Sequence, residues 1–298
     1  TLEPSSAASD VYKRQCLIFV VMIDDIILNA LREDIGDGDH SSLSCLQATD
    51  MGKAKLIVKE KGILAGVEVA KRVFELYDSK LSLEVFIDDG SEVEVGDIVL
   101  EVSGKAQSIL STERLVLNIM QRMSGIASKT RKIVNQIKGT GARVLDTRKT
   151  TPGIRQLEKM AVVIGGGMNH RFGLYDMIML KDNHIDFVGG VVHAIEKTKA
   201  YVQEMERPVD IEVEIRTKSE LLEAVSTGGI KRILLDNFTP EALKDLVPLI
   251  PDSIESEASG GITESTILAY AKTGVDFISM GALTHSVKSL DLSLKAYF

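Results

Sequence analysis

Ile211-Glu212-Val213-Glu214-Ile215, then Thr217-Lys218-Ser219-Glu220, then Ile230-Lys231-Arg232-Ile233-Leu234-Leu235-Asp236-Asn237, is the stretch on which the fold turns. The first run alternates β-branched and acidic residues. The second is a capping box at the head of a helical pattern, and the third is an apolar strand closed by polar residues. Working outward, the same alternation recurs. Arg143–Leu145, Asp176–Leu180, Ser253–Glu257 and Val275–Met280 also read as strands, and Thr239 followed by Pro240 starts a further helix. Six βα units in series predict a parallel sheet with right-handed crossovers, closed as a barrel or part-barrel.

Upstream the pattern is mixed α and β. Between Met22 and about residue 46 lies an amphipathic helical stretch ended by Gly36 and Gly38. Lys55–Lys59 and Leu81–Ile87 alternate as strands around a helix at Val67–Tyr77, with turns at Asp88-Asp89-Gly90 and Gly96-Asp97. A long helix is expected over Ser111–Lys138, broken at Gly125. The boundaries drawn from this are a first domain over 22–120 and a barrel over 121–298, whose last residues pack back on the first domain. The first 21 residues join no later pattern and read as a tag, linker or assembly remnant, with Met22 as the start.

The chain has 298 residues and a formal charge of −8, which argues against a nucleic-acid coat. That charge is unevenly spread. Between Arg114 and Lys181 thirteen Lys and Arg face three acids, a surplus of ten within a remainder of −18. Lys129, Arg131, Lys132 and Lys138 fit a solvated helix face, and the window offers only Phe172 and Tyr175 for base stacking. A small polyanion suits it better. Two cysteines, Cys16 and Cys45, make neither a disulfide framework nor a zinc cluster, which fits a cytoplasmic protein. The apolar run Cys16–Ile23 falls far short of a membrane span.

Each strand ends in groups with chemistry in them: Asp146-Thr147-Arg148-Lys149, Lys181-Asp182-Asn183, Glu212 and Glu214, Asp236-Asn237, Ser259-Gly260-Gly261, and Gly281-Ala282-Leu283-Thr284. A single such ending would be an ordinary solvated loop. Six of them, with cations early and carboxylates in the middle, mark the end of a barrel that holds its active site and phosphate loops. Gly165-Gly166-Gly167 precedes Met168-Asn169-His170-Arg171, so a tight bend or close backbone approach leads into a donor pair suited to a carboxylate. Glu214 and Asp236 could hold Mg²⁺ through water and substrate oxygens, or hydrogen-bond a ribose diol. Glu212 shares a face with Glu214, which leaves open which is the functional acid. The histidines lack zinc-ligand spacing, and no nucleophile elbow, P-loop or dinucleotide fingerprint occurs.

Leu145-Asp146-Thr147-Arg148-Lys149-Thr150-Thr151-Pro152-Gly153, Gly165-Gly166-Gly167-Met168-Asn169-His170-Arg171, Leu180-Lys181-Asp182-Asn183-His184 and Gly281-Ala282-Leu283-Thr284-His285-Ser286 closely resemble the quinolinate phosphoribosyltransferase family, from about Asp24 to the C-terminus. The resemblance implies an α/β fold: an N-terminal α/β sandwich and an incomplete, TIM-like α/β barrel of parallel strands. It implies transfer of phosphoribose from phosphoribosyl pyrophosphate to quinolinate with loss of CO₂, in NAD synthesis. It also implies Mg²⁺ and a homodimer in which Arg114 reaches the neighbouring active site. Arg114, Thr147, Arg148, Lys149, His170, Arg171 and Lys181 would hold quinolinate. Lys149, Lys181, Glu214 and Asp236 would serve the ribose, pyrophosphate and Mg²⁺ as the catalytic set. Ser259, Gly260, Gly261, Met280, Gly281, Ala282 and His285 would take the phosphate end through backbone N–H groups. The competing readings are a phosphoribosyltransferase for nicotinate or another pyridine, and a non-catalytic phosphate-binding barrel.

Overall fold

The computed structural model describes residues 23–297; the expected tag or linker over 1–21 lies outside them. Among the described residues no helix is long and apolar enough to cross a membrane. The chain forms two compact units. One takes the residues up to Ser128, Thr151–Gly165 and those from Val287 on; the other takes Lys129–Thr150 and Gly166–Ser286.

In the first unit α1 spans residues 23–35 and stops where Gly36 turns to φ 58°. Then come α2 (His40–Cys45), β1 (Met51–Val58), β2 (Gly62–Ile63), α3 (Val67–Tyr77), β3 (Ser82–Val85), β4 (Glu92–Val93), β5 (Ile98–Lys105) and α4 (Ala106–Gln136), whose residues from Lys129 on belong to the second unit. Asp39 caps α2 by accepting the Ser42 N–H at 3.1 Å. α3 has no cap of its own at Gly66; Asp89, from a following turn, accepts its Val67 N–H at 2.8 Å. Burial of Val73 and Phe74 on this helix contributes roughly 1.5–3 kcal/mol per side chain.

The first unit's main sheet has the order β12-β1-β5-β3, where β12 is Leu292–Tyr297. β12 runs antiparallel to β1, pairing Lys53 with Tyr297 through Val58 with Leu292. α5 (Arg155–Ile164) belongs to the same unit, and its buried Glu158 accepts from Arg122 Nη2 at 2.7 Å and from the Thr151 N–H at 3.0 Å. These long-range attachments draw segments beyond residue 121 into the first unit, and no local periodicity announces them. The break expected at Gly125 does not exist: α4 runs through it without interruption. A Cβ there would stand 2.3 Å from the Lys288 carbonyl oxygen, so the glycine serves close backbone approach rather than helix termination.

The second unit holds β6 (Arg143–Leu145), β7 (Ile178–Leu180), α6 (Asp182–Val188), α7 (Val191–Gln203), β8 (Ile211–Ile215), α8 (Lys218–Thr227), β9 (Arg232–Asp236), α9 (Pro240–Leu246), β10 (Glu255–Ser259), α10 (Ile267–Ala271), β11 (Phe277–Ser279) and α11 (Ala282–His285). Its sheet has the order β6-β11-β10-β9-β8-β7, every pair parallel. β6 and β7 are consecutive in sequence yet stand at opposite edges, so the barrel is open. Thr217 accepts the Glu220 N–H at 3.2 Å and Thr239 the Ala242 N–H at 3.3 Å, which fixes where α8 and α9 begin. On the face turned away from the cavity, Val213, Ile215, Ile233, Leu235, Ala258 and Ile278 are fully buried. On the inner face Phe277 is flanked by the Arg143 and Arg232 guanidinium groups, 4.4 and 4.2 Å from its ring centre.

Candidate active site

The carboxyl ends of these strands surround a cavity of about 350 Å³. Thr147, Arg148, Lys149, His170, Arg171, Lys181, Glu214, Asp236 and Ser259 line it, as the sequence expected, together with Met179, Asp182, Leu234, Glu257 and Ser279. Arg148 and Lys149 follow β6 and are exposed; Lys181 follows β7. Their segment is tied down from behind, since Thr284 Oγ1 donates to the Lys149 carbonyl at 2.8 Å and the Lys149 N–H donates to Thr147 Oγ1 at 3.0 Å. Lys181 is placed by the start of α6, where its N–H donates to His184 Nδ1 at 2.9 Å.

The glycine run makes a bend and does not line the cavity. Gly165 ends α5, Gly166 turns at φ 94°, and the chain then lies along β6, with the Met168 N–H donating to Val144 O at 2.8 Å and the Asp146 N–H to Met168 O at 3.1 Å. Buried Asp146 accepts the His170 N–H at 2.9 Å. Arg171 reaches the cavity with Nη1 donating to Met177 O at 3.1 Å. Partial burial and the neighbouring Arg148 cation both work against its charge.

Glu214 and Asp236 end adjacent strands, and burial followed by the Asp236 charge pushes the Glu214 carboxyl above its ordinary range. Glu212, one pleat back, is wholly buried and faces His170 instead, with Oε2 3.0 Å from Nε2. The cavity acid is therefore Glu214. Burial also raises Glu212, and the Glu257 charge adds to it. Burial disfavours a charged His170, yet Glu212 and Glu257 outweigh it and push the ring up to about 9. The Arg171 N–H donates to His170 Nδ1 at 2.7 Å, a bond that the neutral ring makes with its hydrogen on Nε2, towards the acids, and that opposes the second proton those acids favour. His170 is only 7% exposed, beneath the rim rather than on it.

Of the expected phosphate loops, Gly260 stands against Asn237: a Cβ would fall 2.3 Å from its Oδ1, and Asn237 itself has φ 59°. Gly281 is packed against Lys149, where a Cβ would stand 2.9 Å from Cδ. Gly261 and Ala282 adjoin them and His285 is exposed, whereas Met280 is 2% exposed and its N–H is committed to Leu145 O at 3.0 Å. Arg114 is exposed on α4, in the first unit. Sequence reasoning missed Glu257 and Ser279 as lining residues. Both lie two residues before a chosen strand-end position, on the same strand face, which is the signal that could have found them.

Barrel enzymes carry their chemistry at the carboxyl ends of the strands, and a cavity lined there by four cations and the paired carboxylates Glu214 and Asp236 places this chain in that class, with an anionic substrate. Comparison with known proteins gives the particular family. Residues 39–124 match the model of the quinolinate phosphoribosyl transferase N-terminal domain and residues 126–295 that of the C-terminal domain. A Bacillus subtilis protein named "Probable nicotinate-nucleotide pyrophosphorylase [carboxylating]" is 45% identical over 262 residues, covering 88% of this chain and 89% of the relative. Quinolinate phosphoribosyltransferase [decarboxylating] 1 of Nicotiana glauca is 43% identical over 285 residues, 91% of this chain and 81% of its own. The crystal structure of NadC from Streptococcus pyogenes superimposes with a TM-score of 0.87 at 41% identity, covering 93% of this chain and 97% of that one. The chain belongs to the quinolinate phosphoribosyltransferase family.

Proposed function

We propose that this protein transfers phosphoribose from phosphoribosyl pyrophosphate to quinolinate and releases CO₂, giving nicotinate mononucleotide and pyrophosphate for NAD synthesis. The observation that carries this is that one cavity brings together four cations, Arg148, Lys149, Arg171 and Lys181, and the carboxylates of Glu214 and Asp236. Quinolinate carries two carboxylates, and planar Arg donors match them in a way a single cation would not. The ring nitrogen attacks the ribose anomeric carbon as the bond to pyrophosphate breaks, through an oxocarbenium-like transition state. The enzyme's part is to align nitrogen and carbon and to neutralise departing charge. The resulting ring cation draws the electron pair of the C2–carboxylate bond as CO₂ leaves, and the ring carbon then takes a proton from solvent.

Glu214 and Asp236 are hard oxygen donors side by side, and a raised carboxyl is what an added cation relieves, so these residues fit Mg²⁺. When bound, Mg²⁺ would neutralise pyrophosphate oxygens; the same two carboxylates could also orient the ribose hydroxyls. Lys149 and Lys181 line the same cavity, Lys181 close enough to act on the Glu214 carboxyl, and would meet both substrates. Gly260, Gly261 and Gly281, with no Cβ, allow the backbone to approach a phosphate closely, and Ala282 follows with a small side chain. A homodimer in which Arg114 of each copy reaches the neighbouring site, and a cytoplasmic location, belong to the same proposal; the exposed Arg114 is available for it.

The test is an assay of purified protein with Mg²⁺, phosphoribosyl pyrophosphate and either quinolinate or nicotinate, following CO₂ and mononucleotide together. Quinolinate alone should be turned over, with CO₂ and mononucleotide in equal amounts. Turnover of nicotinate without CO₂ would replace this reading by the monocarboxylate one, and no turnover of either would leave a phosphate-binding barrel.

A further inference from the structure

At the floor of the cavity, which His170 and Glu257 line, lies a second set of charges, buried ones, that the proposed chemistry does not use. Glu212 on β8 and Glu257 on β10 are both fully buried, and Arg232 on the intervening β9 is 8% exposed. Buried carboxylates cost several kcal/mol each unless neighbours compensate them, so their presence here calls for a role. Arg232 Nη1 donates to Glu257 Oε2 at 3.0 Å, and His170 Nε2 lies 3.0 Å from Glu212 Oε2 and 3.4 Å from Glu257 Oε2. Above the ring, Nδ1 accepts the Arg171 N–H at 2.7 Å, while the His170 N–H is held by Asp146 at 2.9 Å.

The His170, Glu212 and Glu257 donor atoms lie within 4.8 Å of one another, a spacing a divalent cation could bridge. Charge argues against one. Arg232 already donates to the Glu257 oxygen nearest the ring, so a metal ion there would have to compete with a guanidinium for it. What the contacts do form is a mechanical chain from Arg232 through Glu257 and the imidazole to the main chain of Arg171.

We propose that Glu212 and Glu257 are positioning residues: by holding the His170 ring from below they fix the Arg171 main chain, and with it the guanidinium that grips a pyridine carboxylate. This rests on the reading of the cavity as a quinolinate site. It assigns to two buried acids a share in substrate specificity that neither exerts by touching substrate.

The test compares Glu212→Gln and Glu257→Gln, which keep side-chain shape and remove charge, with Arg171→Ala, each in the full chain. The quinolinate KM should rise about tenfold in either Gln variant, with the phosphoribosyl pyrophosphate KM within about twofold of wild type. Because the acids act through Arg171, adding Glu212→Gln to Arg171→Ala should raise the quinolinate KM no further. Unchanged quinolinate KM in both Gln variants overturns the proposal. So does an equal rise in both KM values accompanied by a lower Tm, or failure of both variants to fold, since each marks a role in stability alone. If only Glu257→Gln fails to fold, having also lost its Arg232 partner, Glu212→Gln decides. A wild-type chain that does not turn over quinolinate refutes the function itself; a wild type that does, beside unaffected variants, refutes only the positioning role.

Discussion

Glu214 and Glu212 stand two residues apart on one strand and belong to different worlds. The rim that contains Glu214 is reached by solvent, and its cations and carboxylates line an open cavity. The base that contains Glu212 is closed, and its charges lie in contact with one another. The difference teaches that position along a barrel strand, more than residue type, decides what a charge does. At the strand's end it stays available to a ligand; one pleat deeper it must be compensated by the protein, and what it can then influence is geometry.

Four variants would break or sharpen that contrast. Glu257→Ala should show the largest effect on stability, about 3–5 kcal/mol in urea unfolding, because Arg232 and His170 lose a buried partner. A loss below about 1 kcal/mol would mean the base is not the compensated network described. Lys149→Ala on the rim should do the reverse: unfolding free energy within about 0.5 kcal/mol of wild type, and kcat/KM down about 100-fold, or about 2.7 kcal/mol in the transition state. Gly260→Ala forces a Cβ onto Asn237 and should cost about 1–3 kcal/mol while raising the phosphoribosyl pyrophosphate KM, a rise that steady-state kinetics would detect.

The smallest effect concerns pH. Folding raises the Glu214 carboxyl above its ordinary value, so the folded state holds that proton more tightly than the unfolded one, and stability falls as pH climbs through the window between the two. Glu214→Gln should therefore melt slightly above wild type at neutral pH. The gain should vanish below about pH 4, where the carboxyl is protonated in both states. Activity should be lost throughout. A variant that melts lower at pH 7 would contradict the sign.

Local signals carried well. The α8 and α9 caps, the helix at Val67–Tyr77 and all six parallel strands could be read from the chain, because each depends on residues within one turn or one strand. Strand limits slipped by about two residues at β10, expected over Ser253–Glu257 and found over Glu255–Ser259. Strands buried on both faces lack the alternation that would fix their ends. That slip made Glu257 the last residue of the expected strand, where it proved to be an interior one. The pairing of β12 with β1 and the role of Gly125 against Lys288 depend on contacts across more than 150 residues, and no window of sequence contains them. The rim residues were legible as strand endings; the base was not, because His170, Glu212, Glu257 and Arg232 meet only once the sheet has formed.

The most direct measurement is a calorimetric titration of quinolinate into the wild-type chain and into Arg148→Ala, with thermal unfolding of both in the same buffer. The rim reading predicts that Arg148→Ala binds at least about 30-fold more weakly, as loss of a charge-assisted contact to a carboxylate should cause, with Tm unchanged. Equal affinity in the two proteins, or weakened binding that merely follows a lowered Tm, would contradict it.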